Sequence, residues 1–96
     1  MKKIITPDNI SILIIDNVKS MRSLLKTMLR QMGIKTVPLL GANGIEGLKI
    51  MNETRINLVI TEWEMPVMNG PRFLETLRAD PQLRDTPVLM VTTQAE

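Results

Sequence analysis

The chain has no cysteine, no histidine and no tyrosine, and only one tryptophan and one phenylalanine among its 96 residues. Without cysteine there is neither a disulfide framework nor a thiolate zinc site. Without histidine the commonest metal ligand and the usual general base are both missing. Carboxylates, hydroxyls, lysine and arginine remain, a set suited to hard cations, phosphoryl groups or plain binding. Long hydrophobic runs are absent too. The longest are Ile12 to Ile15 and Val88 to Val91, four residues each, far short of the roughly 20 that span a bilayer. The opening Met1-Lys-Lys-Ile-Ile-Thr-Pro is broken by Thr6 and Pro7 before an apolar signal region develops, so the expected location is cytoplasmic, with no membrane partner. At 44% hydrophobic and 23% charged residues, residues 1–96 read as a single small domain with one core.

The net charge of +2 conceals an asymmetry. From Asn17 to Ile45 there are five bases (Lys19, Arg22, Lys26, Arg30, Lys35) and no acid, whereas Glu46 to Glu96 holds eight acids and five bases. Four of those bases form a stripe on one predicted helix. With two aromatics and no DNA-binding pattern, the stripe reads as a solvated face, and nucleic acid is not expected as a partner. Gly41-Ala-Asn-Gly-Ile-Glu-Gly47 has three glycines, but its spacing is not that of a phosphate cradle. It reads as a turn and helix cap.

Strand and helix alternate along the chain. Ser11 to Asp16 is short, apolar and rich in β-branched residues, as expected of a strand buried on both faces. Val18, Met21, Leu24, Leu25, Met28, Leu29 and Met32 recur at helical spacing as an apolar stripe, the methionines as core filler, and Gly33 ends the helix. Lys35 to Leu39 reads as an edge strand because Pro38 lacks a donor. Asn43 caps a second helix that carries Ile45, Leu48 and Met51 inward and runs to about Glu53. Asn57 to Glu62 is a third strand. Gly70-Pro71 begins a third helix with Phe73, Leu74 and Leu77 inward, stopped at Asp80-Pro81, and Pro87 to Thr92 is a fourth strand.

Strands joined by helices of this length imply right-handed crossovers and a parallel α/β sheet wound on both sides. Ligands in such sheets collect beyond the carboxyl ends of the strands, where the winding reverses. With strand order 2-1-3-4, Asp16, Glu62 and Thr92 close strands one, three and four and are expected to meet in one pocket.

Ile14-Ile15-Asp16-Asn17, Met21-Arg22, Leu58 to Pro66, Met68-Asn-Gly70 and Pro87 to Thr92 resemble successive landmarks of the response-regulator receiver domain of the CheY type. The likeness runs from Ser11 to Thr92. It implies a flavodoxin-like doubly wound parallel sheet of order 2-1-3-4, and a two-component phosphorelay function in which a histidine kinase phosphorylates an aspartate at the end of strand three with magnesium bound. It implies roles for Asp16 and Asn17 as the metal pair, Glu62 at the phosphoacceptor position, Glu64 as a further metal donor and Thr92 as the phosphoryl contact. Trp63, beside the acceptor, is the natural fluorescence reporter.

Three features depart from that pattern. The strand-one pair is Asp-Asn instead of two acids, which should weaken magnesium. Glu62 is one methylene longer than aspartate, and a misplacement of about 1 Å can cost on the order of a hundredfold in rate. It suits a fixed anion, able to accept from Thr92 and imitate part of a phosphorylated state, although its single charge falls short of the roughly −1.5 to −2 of a phosphate. Finally, every lysine lies at or before Lys49, so the strand-five lysine has no counterpart. The fold is expected to be C-terminally incomplete, without a fifth strand or last helices: a fragment, a fold completed by a second chain, or a short form. The expected function is a signalling module, not an enzyme, that binds a histidine kinase or output partner or self-associates through the fourth-strand edge. The alternatives are a phosphotransfer-competent metal-dependent receiver, phosphorylated at Asp16, and a half-fold assembled with another chain.

Overall fold

The computed structural model describes residues 3–92. The elements in chain order are β1 (Ile12–Ile15), α1 (Lys19–Gln31), β2 (Leu39–Gly41), α2 (Gly44–Glu53), β3 (Leu58–Glu62), α3 (Gly70–Ala79) and β4 (Val88–Val91). They form one four-stranded parallel sheet of order β2-β1-β3-β4, the expected winding. All four residues of β1 are buried, and its side chains alternate between two cores. Leu13 and Ile15 join Val59, Met51, Phe73 and Leu77 under α2 and α3, while Ile12 and Ile14 join Ile60 and Leu29 under α1. Removing each such side chain from water contributes roughly 1.5–3 kcal/mol. β1 therefore anchors both layers.

The helix starts follow cap chemistry. The Asn43 side chain accepts from the Glu46 N–H at 2.9 Å, and the Glu46 carboxylate returns to the Ala42 N–H at 3.1 Å, so the box closes one residue before the cap. At α3 the Asn69 side chain accepts from the Arg72 N–H at 2.9 Å, with Pro71 in the first turn. α1 differs: its cap residue Val18 offers no side-chain acceptor, and the preceding acid takes that part, as described below.

Several expectations need correction. β2 starts at Leu39, after Pro38, because proline cannot donate to the ladder and pairing begins only beyond it. It is an edge strand, as expected, but not over Lys35 to Leu39. The α1 stripe is not wholly inward: Leu29 alone is buried, while Leu24, Met28 and Met32 are 50%, 45% and 76% exposed and Val18 is also exposed. A single helix contacts the sheet along a narrower arc than its apolar residues occupy, so Met28 and Met32 are not core filler. Ile45 is exposed, too. α2 approaches the sheet through its glycines instead, with Gly44 and Gly47 buried beside Met51. A Cβ on Gly47 would collide with the Ile15 side chain and lie 3.3 Å from the Phe73 ring.

The glycines also differ in what opposes a side chain. A Cβ on Gly70 would lie 2.7 Å from the backbone carbonyl of Glu62, whereas on Gly44 it would meet only the flexible Met68 side chain, also at 2.7 Å. Gly70→Ala is expected to cost about 2–3 kcal/mol, because the strand backbone must give. Gly44→Ala should cost less than about 1 kcal/mol, the clash being offset by helix propensity. Urea denaturation of the two variants distinguishes them.

Candidate functional site

β1 and β3 deliver the first two acids side by side. The register pairs Ile15 with Thr61, so Asp16 and Glu62, one residue further along each strand, emerge together at the carboxyl end of the sheet. Both are nearly closed off, at 3% and 5% exposure. Such a group destabilises the fold unless it is hydrogen-bonded. Asp16 Oδ1 accepts from the Val18 N–H at 2.8 Å, which gives α1 the cap that Val18 lacks. The Asp16 N–H donates to the Gly41 carbonyl at 3.0 Å, and the Asp16 carbonyl accepts from the Arg22 guanidinium at 2.6 Å. The β1–α1 turn is thus fixed from both sides.

Glu62 solves the same problem by bending back. Its Oε1 accepts from the Trp63 N–H at 2.9 Å and lies 3.5 Å from the Glu64 N–H. The Trp63 N–H is shared with the Val91 carbonyl, also at 2.9 Å. Beyond it the loop from Trp63 to Asn69 is tightly wound. The Met68 N–H donates to the Pro66 carbonyl at 2.7 Å, across Val67 at φ 72°, a γ-turn of the strained positive-φ kind. This turn lets Met65 be buried and Met68 pack on the core while Val67 points to solvent at 79% exposure. The Gly70 N–H then donates to the Trp63 carbonyl at 2.8 Å and closes the loop.

Asp16, Asn17, Val18, Met21, Glu62 and Glu64 line one cleft of about 270 Å³. Four of the expected site residues therefore share a single wall. Thr92 follows Val91, the register partner of Glu62. It lies at the same end of the sheet but is exposed and outside that lining. Trp63 is about half exposed at the head of the loop. Sequence reasoning missed Val18 and Met21 as cleft wall and Arg22 as the clamp on Asp16. Arg22 stood within a basic stripe and, with Met21, among the landmarks of the family resemblance, and neither marked the bond.

The groups the cleft offers a divalent cation are the Asp16, Glu62 and Glu64 carboxylates and the Asn17 amide. Asp16 Oδ1 and Glu62 Oε1 already accept from backbone amides, and Asn17 supplies an amide where a second acid would add charge. Among the described residues, no three acidic side chains are grouped so as to hold a metal ion. The described helices include none long and apolar enough to cross a membrane.

With this geometry in place, the likeness to known proteins is informative. Residues 12–96 match the response regulator receiver domain family. The chain is 35% identical over 88 residues to the chemotaxis protein CheY-3 of Vibrio cholerae, covering 92% of this chain and 67% of that one. It is 36% identical over 85 residues to the chemotaxis protein CheY of Pseudomonas aeruginosa, covering 88% and 68%. Among solved structures, the N-terminal domain of a response regulator receiver protein from Methanoculleus marisnigri superposes with a TM-score of 0.80 at 34% identity, covering 90% of this chain and 68% of that one. CheY4 of Vibrio cholerae gives 0.79 at 30% identity, covering 91% and 71%. The chain belongs to the receiver-domain family of two-component response regulators, a family of signalling modules.

Val67→Gly tests the strain in the loop. Left-handed backbone costs an L-residue about 1–2 kcal/mol, and glycine returns roughly 0.5–1 kcal/mol of that through unfolded-state entropy. The variant should be about 0.5–1 kcal/mol more stable in urea denaturation, and a loss of stability would contradict the strained turn.

Proposed function

We propose that this chain is a receiver-type signalling module that works by protein-protein contact from a fixed conformation, without phosphorylation of the usual kind. The observation that carries the reading is the buried Glu62 carboxylate bent onto the amides of Trp63 and Glu64. An acceptor must present an oxygen in line with the incoming phosphorus, with positive charge around the equatorial oxygens. Here an oxygen is spent on the loop, the carboxylate carries one extra methylene, and the paired metal ligand at position 17 is an amide. Magnesium, on this reading, binds weakly and has no resident role.

The partners that fit are cytoplasmic signalling proteins, either a histidine kinase or an output protein, recognised through a surface that Glu62 holds in one state. A second copy of the chain is a further candidate: β4 lies at the sheet edge with Leu89 more than half exposed, and such edges pair readily with other strands.

Magnesium with an acyl phosphate separates this module from a phosphotransfer-competent receiver. The protein should take no acid-labile phosphate by intact mass and show no Trp63 fluorescence change. Glu62→Asp combined with Asn17→Asp should gain labelling. Acid-labile phosphate on the unaltered chain, at Asp16 or elsewhere, would overturn the proposal.

A further inference from the structure

Two asparagines precede glycine in this chain, Asn43-Gly44 and Asn69-Gly70, and both cap helices. Glycine after asparagine leaves the backbone amide nitrogen sterically open to attack the side-chain amide carbon, the first step of spontaneous deamidation. Val18, Leu58, Ile10 and Glu53 follow the other asparagines and hinder that approach. The fold holds Asn69-Gly70 away from the reaction by three hydrogen bonds. Asn69 Oδ1 accepts from the Arg72 N–H at 2.9 Å, so the carbonyl to be attacked is turned into the helix. The Asn69 backbone carbonyl accepts from the Phe73 N–H at 3.0 Å, and the attacking nitrogen itself, on buried Gly70, donates to the Trp63 carbonyl at 2.8 Å. That last bond spans the loop that Glu62 organises.

We propose that Asn69 is a latent deamidation site, gated by the loop between β3 and α3, so that its conversion reports opening of the candidate functional site. The step is balanced with water alone. The Gly70 nitrogen loses its proton to solvent base and bonds to the Asn69 side-chain carbon. The bond from that carbon to its amide nitrogen breaks, and ammonia leaves. Water then opens the succinimide at either carbonyl, giving an aspartate or a β-linked isoaspartate at position 69. Aspartate keeps an acceptor for the Arg72 N–H and adds a charge favourable at a helix N-terminus. Isoaspartate lengthens the backbone by one methylene, breaks the cap and displaces Gly70, whose Cβ position already lies 2.7 Å from the Glu62 carbonyl.

Asn43 is the comparison site: its Oδ1 accepts from the Glu46 N–H and its carbonyl from the Gly47 N–H, both within α2, and Gly44 meets the β3–α3 loop through the Met68 side chain, not through a backbone bond. The test incubates folded and urea-unfolded protein at mildly alkaline pH and follows both positions by peptide mass and isoaspartyl methylation. In the folded protein, conversion at position 69 should be slower than in the unfolded chain by at least about tenfold, the protection expected of a loop that must open first. Glu62→Ala, which removes the acceptor for the Trp63 and Glu64 amides, should accelerate position 69 several-fold and by more than position 43, which touches the loop only through Met68, while Glu62→Gln, which retains an acceptor oxygen, stays near the parent rate. Equal rates at position 69 in folded and unfolded chains would overturn the proposal. So would a Glu62→Ala effect equal at both sites or present at neither. If Glu62→Ala does not fold, Val67→Gly takes its place. Relief of strain in the same loop should slow position 69 by more than position 43, and an unchanged rate at position 69 would reject the gating.

Discussion

A carboxylate buried at the end of a strand must find donors or cost the fold several kcal/mol. At the end of β3 the nearest donors are the amides of the next two residues. Glu62 reaches them by turning its carboxylate back on its own backbone. The consequences run outward from there. The Trp63 amide is held between Glu62 and the Val91 carbonyl, which ties the loop to β4. The loop then winds through the Val67 γ-turn to the Asn69 cap and α3. Asp16 meets the same requirement on β1 by capping α1 through Val18. Each strand end thus secures the start of the segment that follows it.

This arrangement depends on β1 and β3 lying adjacent, parallel and in register, and that in turn depends on burial. Ile12 to Ile15 contribute alternately to the two cores, and a one-residue slip would exchange every partner. The cover is unequal. Under α2 and α3 the packing is close enough that glycine is needed at positions 47 and 70, whereas α1 alone leaves Leu24, Met28 and Met32 facing solvent. The chain matches about two thirds of its relatives' length, and its exposed large hydrophobic residues, among those described, are spread over α1 and its ends, α2, β2, the N-terminal segment and the loops, with Leu89 alone on β4.

Much of the fold was legible in the sequence, because a buried parallel strand announces itself by apolar runs and a helix by its caps. Asn43, Asn69 and Pro71 all sit where cap chemistry places them. The errors have physical causes. Pro38 shifted β2 by removing a donor, and the glycine face of α2 turned Ile45 outward, a rotation that periodicity alone does not encode. In the site, Asp16 and Glu62 were legible as strand ends, and Asn17 and Glu64 came from the family resemblance. The local fold-back of Glu62 and the Arg22 clamp were not, because both are side-chain choices made after the backbone is fixed.

A crystal structure of the protein grown with magnesium and beryllium fluoride tests the central claim most directly. The account predicts Glu62 Oε1 still on the Trp63 amide and no ordered metal between Asp16 and Glu62. An octahedral cation held by those two carboxylates, with a fluoroberyllate on Glu62 and the loop amides turned toward it, would contradict it.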